Sequence, residues 1–365
     1  MGVPFLDLKA QYAGIKSEID TAIAGIVESC QFVGGSAVKE FESNFASYVG
    51  ARHGVGASSG TSAIHLALVG LGIGPGDEVI TACNTFIATT EAITHSGATP
   101  VLVDIDPATH LIDTTRIEAA ITPKTTAIMP VHLYGQPVDM SEIRAIAEKH
   151  SLIVIADACQ AHGAMINGDR GAILGDATCY SFYPGKNLGA YGDAGAVVTD
   201  NEDLANLMRS LADHGSKKKY HHFAEGWNYR LDGIQAAVLD VKLKYIEQWT
   251  EMRRTRAALY DAAFADSDVT PVASASGRHH VYHLYVVRVN DRDAMGPALW
   301  DRGIGSGIHY PMPLHQQEAY KHLELGEGSF PVAEAEIPKI ISLPIFPEMT
   351  DEMVAEVVAA VKELN

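Results

Sequence analysis

Between residues 77 and 200 the chain repeats one rhythm: a short run apolar on both faces, then a stretch with apolar positions at helical spacing. The apolar runs are DEVITA (77–82), TPVLVDI (99–105), TAIMPVHLYG (126–135), LIVIADA (152–158), ATCYSFY (177–183) and GAVVTD (195–200). TTEAITHSG, DTTRIEAAI and DMSEIRAIAEKH lie between them. A strand without a polar face must be covered on both sides, and parallel neighbours need long crossovers that helices supply. The rhythm therefore predicts an α/β fold, a mostly parallel sheet covered by helices. Two more helical patterns precede it: SAVKEFESNFASYVG (36–50), and SGTSAIHLALVGLGI (59–73), which opens on capping residues.

The pattern changes near residue 245. A long amphipathic helix is expected over 232–264, then an alternating strand VYHLYVVRV (281–289), a short helix at PALWDRGIG, and a final helix capped by Thr350-Asp351. This divides the chain into a large domain, 1–245 with an N-terminal arm, and a smaller C-terminal α/β domain, 246–365. A length of 365 residues suits two domains.

Charge and composition narrow the function. A net charge of −18 gives no footprint for nucleic acid or an anionic membrane surface. No apolar run is long enough to span a bilayer, and MGVPFLDLKAQYAG lacks the basic and apolar regions of a secretory signal. Leu6 stands where myristoylation of Gly2 would want Ser or Thr. Cys30, Cys83, Cys159 and Cys179 form no C-x-x-C pair and read as reduced thiols of a cytoplasmic protein. The 16 histidines, among them His221-His222, His279-His280 and His283, show no ligand spacing; solvated or packing roles and no metal are expected.

Several loops could carry chemistry. GLGIGPG (70–76) follows a helix and precedes a strand, the reverse of a dinucleotide fingerprint, so it reads as a turn. SSGTSAIHLAL (58–68) starts a helix whose free N–H groups could hold an anion, or is a plain N-cap. In LIVIADACQAHG (152–163), Asp157 ends an apolar strand, where it is either a helix cap or the partner of a cationic ring nitrogen. Gln160 and His162 follow on the same loop and could bond neighbouring ring substituents. SFYPGKNLGAYG (181–192) also follows a strand, but Asn187 after Lys186 breaks the P-loop order. A lysine there can form an imine with a carbonyl cofactor and then serve as general base. HGSKKKYHH (214–222) is a solvated loop or a patch receiving an anionic substrate.

Taken together, SSGTSA, DACQAHG, SFYPGKNLGAYGDAG, GWNYRLDGIQAAVL and HYPMPLH resemble the DegT/DnrJ/EryC1/StrS family of sugar aminotransferases, over nearly the whole chain. The resemblance implies a fold type I, aspartate aminotransferase-like enzyme using pyridoxal 5'-phosphate, a homodimer with active sites at the subunit interface. It implies that Lys186 bonds the cofactor aldehyde and that Asp157 faces the pyridine nitrogen. Gln160 falls beside the ring hydroxyl, Phe86 stacks on the ring or is a core aromatic, and Gly60, Thr61 and Ser181 hold the phosphate. Asn228 reaches that phosphate from the other subunit. His309 and Tyr310 would line the sugar pocket, and Lys217, Lys218 and Lys219 could meet a diphosphate. The implied reaction moves an amino group from L-glutamate to a nucleotide-linked ketosugar, since the lysine is present where deoxygenating members carry histidine. DACQAHGA and the RLD after Asn228-Tyr229 look closer to members acting on 3-keto sugars; 4-keto-sugar and ketocyclitol amination are alternatives. A dehydratase, a decarboxylase or a non-catalytic regulator on the same scaffold are the rivals.

Overall fold

The structure, a computed structural model, describes residues 2–365. In chain order the first part comprises α1 (Leu8–Ser29), α2 (Ser36–Val49), β1 (His53–Ala57), α3 (Gly60–Gly70), β2 (Glu78–Ala82), α4 (Ile87–His95) and β3 (Thr99–Val103). There follow α5 (Ile117–Ala120), β4 (Thr125–Met129), α6 (Met140–His150), β5 (Ile153–Asp157), β6 (Met165–Ile166), β7 (Ala177–Ser181), β8 (Gly195–Thr199) and α7 (Glu202–Ala212). Next are β9 (Ser216–Lys218), β10 (His221–His222), α8 (Gly233–Leu243), α9 (Ile246–Phe264), β11 (Thr270–Pro271) and β12 (Arg278–His279). The chain finishes with β13 (Tyr285–Arg288), α10 (Arg292–Asp301), α11 (Pro331–Glu336), β14 (Ile340–Leu343) and α12 (Asp351–Leu364).

Seven strands form the main sheet in the order β1-β8-β7-β5-β4-β2-β3. All neighbours pair in parallel except β8, which runs antiparallel to both β1 and β7. Side chains alternate between two cores, as a pleated strand requires. Val79, Ala127, Ile155, Cys179 and Val197 face α3, α4 and α7. Ile80, Ile128 and Val154 face α6, and Tyr180, Ala196 and Val198 face α2 and α8. The mostly parallel, doubly covered sheet expected from the sequence is the sheet observed.

A second, three-stranded antiparallel sheet, β11-β13-β14, packs with α9, α10 and α12 around Tyr260, Phe264, Val287, Leu299 and Leu343. Val3 from the chain start joins this core, pairing with Ile304. Four local expectations are corrected. The helix expected over 232–264 is two: the backbone turns at Lys244-Tyr245, after which α9 carries Ala257, Tyr260 and Phe264 into the second core. Of 281–289 only Tyr285–Arg288 joins the small sheet, because the amides of Val281 and Leu284 instead bond Gly135 and Tyr134 beyond β4. The run 126–135 stops as a strand at Met129, where Pro130 has no N–H to give. The helix at PALWDRGIG begins earlier, at Arg292, capped by Asp291.

Candidate active site

The carboxyl ends of β1, β2, β4, β5 and β7 converge on one cavity of about 560 Å³. Its lining includes Gly60, Thr61, Phe86, Asp157, Gln160, Ser181, Lys186, His309 and Tyr310, nine of the residues singled out in the sequence. Each arrives by a short, determined route. Ser59 caps α3 by accepting the Ser62 N–H, and Ser62 returns a bond to Ser59. That box uses the Ser62 N–H in the first turn and leaves the Gly60 and Thr61 N–H groups without partners among the described residues. A Cβ at Gly60 would stand 2.6 Å from the Ser181 Cβ, so only glycine lets the helix start lie against Ser181.

Asp157 is 4% exposed at the end of β5. Its Oδ2 accepts from Thr89 Oγ1 at 2.8 Å and its Oδ1 from the Cys159 N–H at 3.1 Å. Thr89 sits 2.9 Å from the Thr85 hydroxyl, which completes its bonding and fixes its proton on Asp157. Lys186 closes the turn after β7, its own N–H donating to Tyr183 O at 2.8 Å. Burial pushes its amine below the usual lysine range, against the opposing pull of Cys159 and Asp157. Its amine has no hydrogen-bond or ion-pair partner among the described residues.

Gln160 is held at both ends: its Oε1 accepts the Tyr134 N–H at 2.6 Å and its Nε2 donates to Tyr310 Oη at 3.1 Å. Phe86 precedes α4, is 49% exposed, and tilts 5.2 Å from the Tyr310 ring. It is an open aromatic at the cavity wall, not a core residue. His309 bonds Ser342 Oγ at 2.8 Å through Nδ1, and burial lowers its pKa to about 4, so it is neutral at ordinary pH.

Asn228 lies elsewhere, exposed and bridged to Asp213. Lys217, Lys218 and Lys219 sit on the exposed β9–β10 hairpin, outside the cavity of their own chain. His162 departs from its expected place beside Gln160. It turns back into the core, bonds Ser181 O at 2.9 Å and packs on Tyr180 and Phe182. Beside His309, a second histidine lines the cavity, His283, for which a packing or solvated role is expected from the sequence; its Nδ1 is 3.3 Å from Asn187 Oδ1. Asn187 Nδ2 donates to Val281 O, which leaves its Oδ1 as an acceptor and puts the imidazole proton on Nδ1. Tyr183, Phe5 and Leu6 also line the cavity. Tyr183 lies inside the lysine loop SFYPGKNLGAYG; Phe5 and Leu6 come from the far end of the chain and carry no local signal.

The residues present fit the phosphate of vitamin B6. An anion matches two free N–H groups at a helix start, a cationic nitrogen matches a buried carboxylate, and a carbonyl matches an unpartnered amine. Among the described residues no group of three or more His, Cys, Asp or Glu could hold a metal ion, and no helix is long and apolar enough to cross a membrane.

Comparison with known proteins agrees with this donor set. Residues 14–362 match the model of the DegT/DnrJ/EryC1/StrS aminotransferase family. A pleiotropic regulatory protein of Geobacillus stearothermophilus is 47% identical over 100% of this chain and 98% of its own. A UDP-N-acetyl-3-dehydro-alpha-D-glucosamine 3-aminotransferase of Acidithiobacillus ferrooxidans is 44% identical, covering 99% of this chain and 97% of its own. Among solved structures, DesV of S. venezuelae in complex with a ketimine intermediate superposes with a TM-score of 0.97 at 44% identity, over 99% of this chain and 98% of that one.

Proposed function

The chain belongs to the DegT/DnrJ/EryC1/StrS aminotransferase family, and we propose that it moves an amino group from L-glutamate to a nucleotide-linked 3-keto sugar, using pyridoxal 5'-phosphate. The observation that carries the reading is one cavity holding both the unpartnered Lys186 amine and the buried Asp157 carboxylate. The 3-keto preference rests on the 3-aminotransferase relative and on the DACQAHGA and RLD segments.

When bound, the cofactor supplies an aldehyde that takes up amines and a ring that withdraws electrons. The chain supplies the rest. The free N–H groups of Gly60 and Thr61, with the Ser181 hydroxyl, receive the phosphate at the start of α3, where the helix dipole favours an anion. Asp157, oriented by Thr89 and the Cys159 N–H, would keep a proton on the ring nitrogen. Phe86 would cover a ring face, and Gln160 has one N–H left for the ring hydroxyl. Lys186, whose amine burial draws below the usual lysine range, would bond the aldehyde of the bound cofactor and would move a proton at the substrate carbon. His309 and Tyr310 bound the sugar side. Asn228 and Lys217–Lys219 serve the cavity of a second subunit in a homodimer, the first at the phosphate and the lysines at the diphosphate of the substrate.

A second reading is favoured by the regulatory name of the 47% relative: a sugar-nucleotide-binding regulator without turnover. The test is a panel of nucleotide 3-keto and 4-keto sugars with glutamate, following 2-oxoglutarate. Transfer to a 3-keto sugar is expected; transfer to none, by yellow and cofactor-replete protein, supports the regulator. Lys186→Arg should lower transfer by about a thousandfold and abolish the pyridoxyl tag that borohydride leaves on the wild-type peptide.

A further inference from the structure

Lys242, in the last turn of α8, is 1% exposed. Its Nζ donates to Gly189 O at 2.7 Å and lies 4.3 Å over the Tyr191 ring. Burial draws its pKa down to about 8, with Glu348 pulling the other way. Glu348 is itself short of partners, its Oε2 buried without a hydrogen bond. An ammonium removed from water is costly, and a methionine or leucine would fill the same space without that cost. The charge therefore needs a reason beyond packing.

The reason lies in what it holds. Gly189 belongs to the turn that carries Lys186. The Ala190 N–H returns to Phe182 O at 2.8 Å, and a Cβ at Gly189 would meet Pro184 O at 2.3 Å. The turn is thus closed on itself. From outside, α8 grips it twice: Gln235 Oε1 accepts the Tyr191 N–H at 2.8 Å, and Lys242 takes the Gly189 carbonyl and the Tyr191 ring. We propose that Lys242 is a positioning residue for amine transfer: its ammonium fixes the Gly189 carbonyl and the Tyr191 ring, and so sets the reach of the Lys186 amine. This rests on the role given to Lys186 above. Lys186 must address two carbons in turn, and a displacement of about 1 Å at a reacting group can cost on the order of a hundredfold in rate.

The experiment compares Lys242→Met, which keeps the stem and removes the donor, with Lys242→Gln, which keeps an N–H. The expected result for Lys242→Met is an unfolding midpoint at or above wild type and faster amide exchange confined to the peptide spanning 183–192. Its kcat should fall by about tenfold or more, with KM for both substrates within about twofold. Lys242→Gln should recover part of the loss. The pH midpoint of the yellow colour, which reports the proton on the Lys186 nitrogen, should shift in Lys242→Met without any turnover being measured. Wild-type kcat and exchange in Lys242→Met overturn the proposal, as does a kcat loss with exchange unchanged at 183–192. Should Lys242→Met fail to fold, the Gln variant decides by the same kcat and exchange readouts. Wild-type protein that aminates no ketosugar would instead defeat the functional reading, and exchange and colour would still decide the place of Lys242.

Discussion

At the scale of residues, the site depends on groups left with bonding capacity. Asp157 is nearly inaccessible, yet accepts only the Thr89 hydroxyl and the Cys159 N–H. A buried carboxylate with a position open to the cavity suits a cationic partner. Asp157→Asn should keep the fold and lower kcat by about a hundredfold or more, the scale on which one oriented electrostatic group acts. Steady-state transfer and the visible spectrum of the same sample check it, and unchanged kcat would remove Asp157 from the proposed chemistry. Thr89→Val should remove one bond to the carboxylate and cost about 1–2 kcal/mol, roughly five- to thirtyfold in kcat. Asp157, Gln160 and Lys186 could be read from the sequence because Asp157 ends an apolar strand and the other two stand in loops that follow one. Thr89 could not, since it lies on a helix and earns its place through a contact with Asp157 that is 68 residues distant in sequence. His162 and His283 show why a residue type is not enough. His283 lines the cavity, whereas the ring of His162 turns into the core and bonds Ser181 O, and only three-dimensional packing decides between them.

At the scale of elements, α3 does the most for its length. Its start is set by reciprocal Ser59–Ser62 capping, and its contact with β7 tolerates no side chain at Gly60. Gly60→Ala should force the helix start away from Ser181 and weaken cofactor binding by about tenfold or more, while overpacking lowers stability by about 1–3 kcal/mol. Thr61→Ala, which leaves the backbone N–H in place, should weaken binding less. Fluorescence titration of cofactor-free protein with pyridoxal 5'-phosphate compares the two; equal dissociation constants for all three proteins would take the phosphate away from α3. The sheet was legible because its strands are apolar on both faces and separated by helical patterns. β1 was not. In His53–Ala57, Gly54 and Gly56 replace the expected bulky residues, since a Cβ there would meet Glu42 O at 2.4 Å or Leu231 Cβ at 2.7 Å. The α8–α9 break was also hidden, because both helices keep apolar residues at the same spacing while turning them toward different cores.

At the scale of the molecule, α9 ties the two halves together: Ile246 sits in the core of the large sheet and Tyr260 in that of the small one. Such a structure should unfold as one unit, and its buried histidines then set a pH dependence. Burial lowers His110 and His132 to about 4, and His162 and His280 to about 3. All four imidazoles are therefore neutral in the folded chain at pH values where the unfolded chain, near 6.5, binds protons. Unfolding takes up protons in that window, so stability is complete above about pH 6.5 and declines as pH falls toward the folded values, by up to ~1.4 kcal/mol per pH unit for each histidine. Glu42, Asp261 and Glu348 are raised by burial and act in the opposite sense. Urea unfolding between about pH 7.5 and 5 should show the midpoint steady at first and then falling steeply below about 6.5. A flat midpoint over that range would mean that these rings reach solvent and protonate without unfolding.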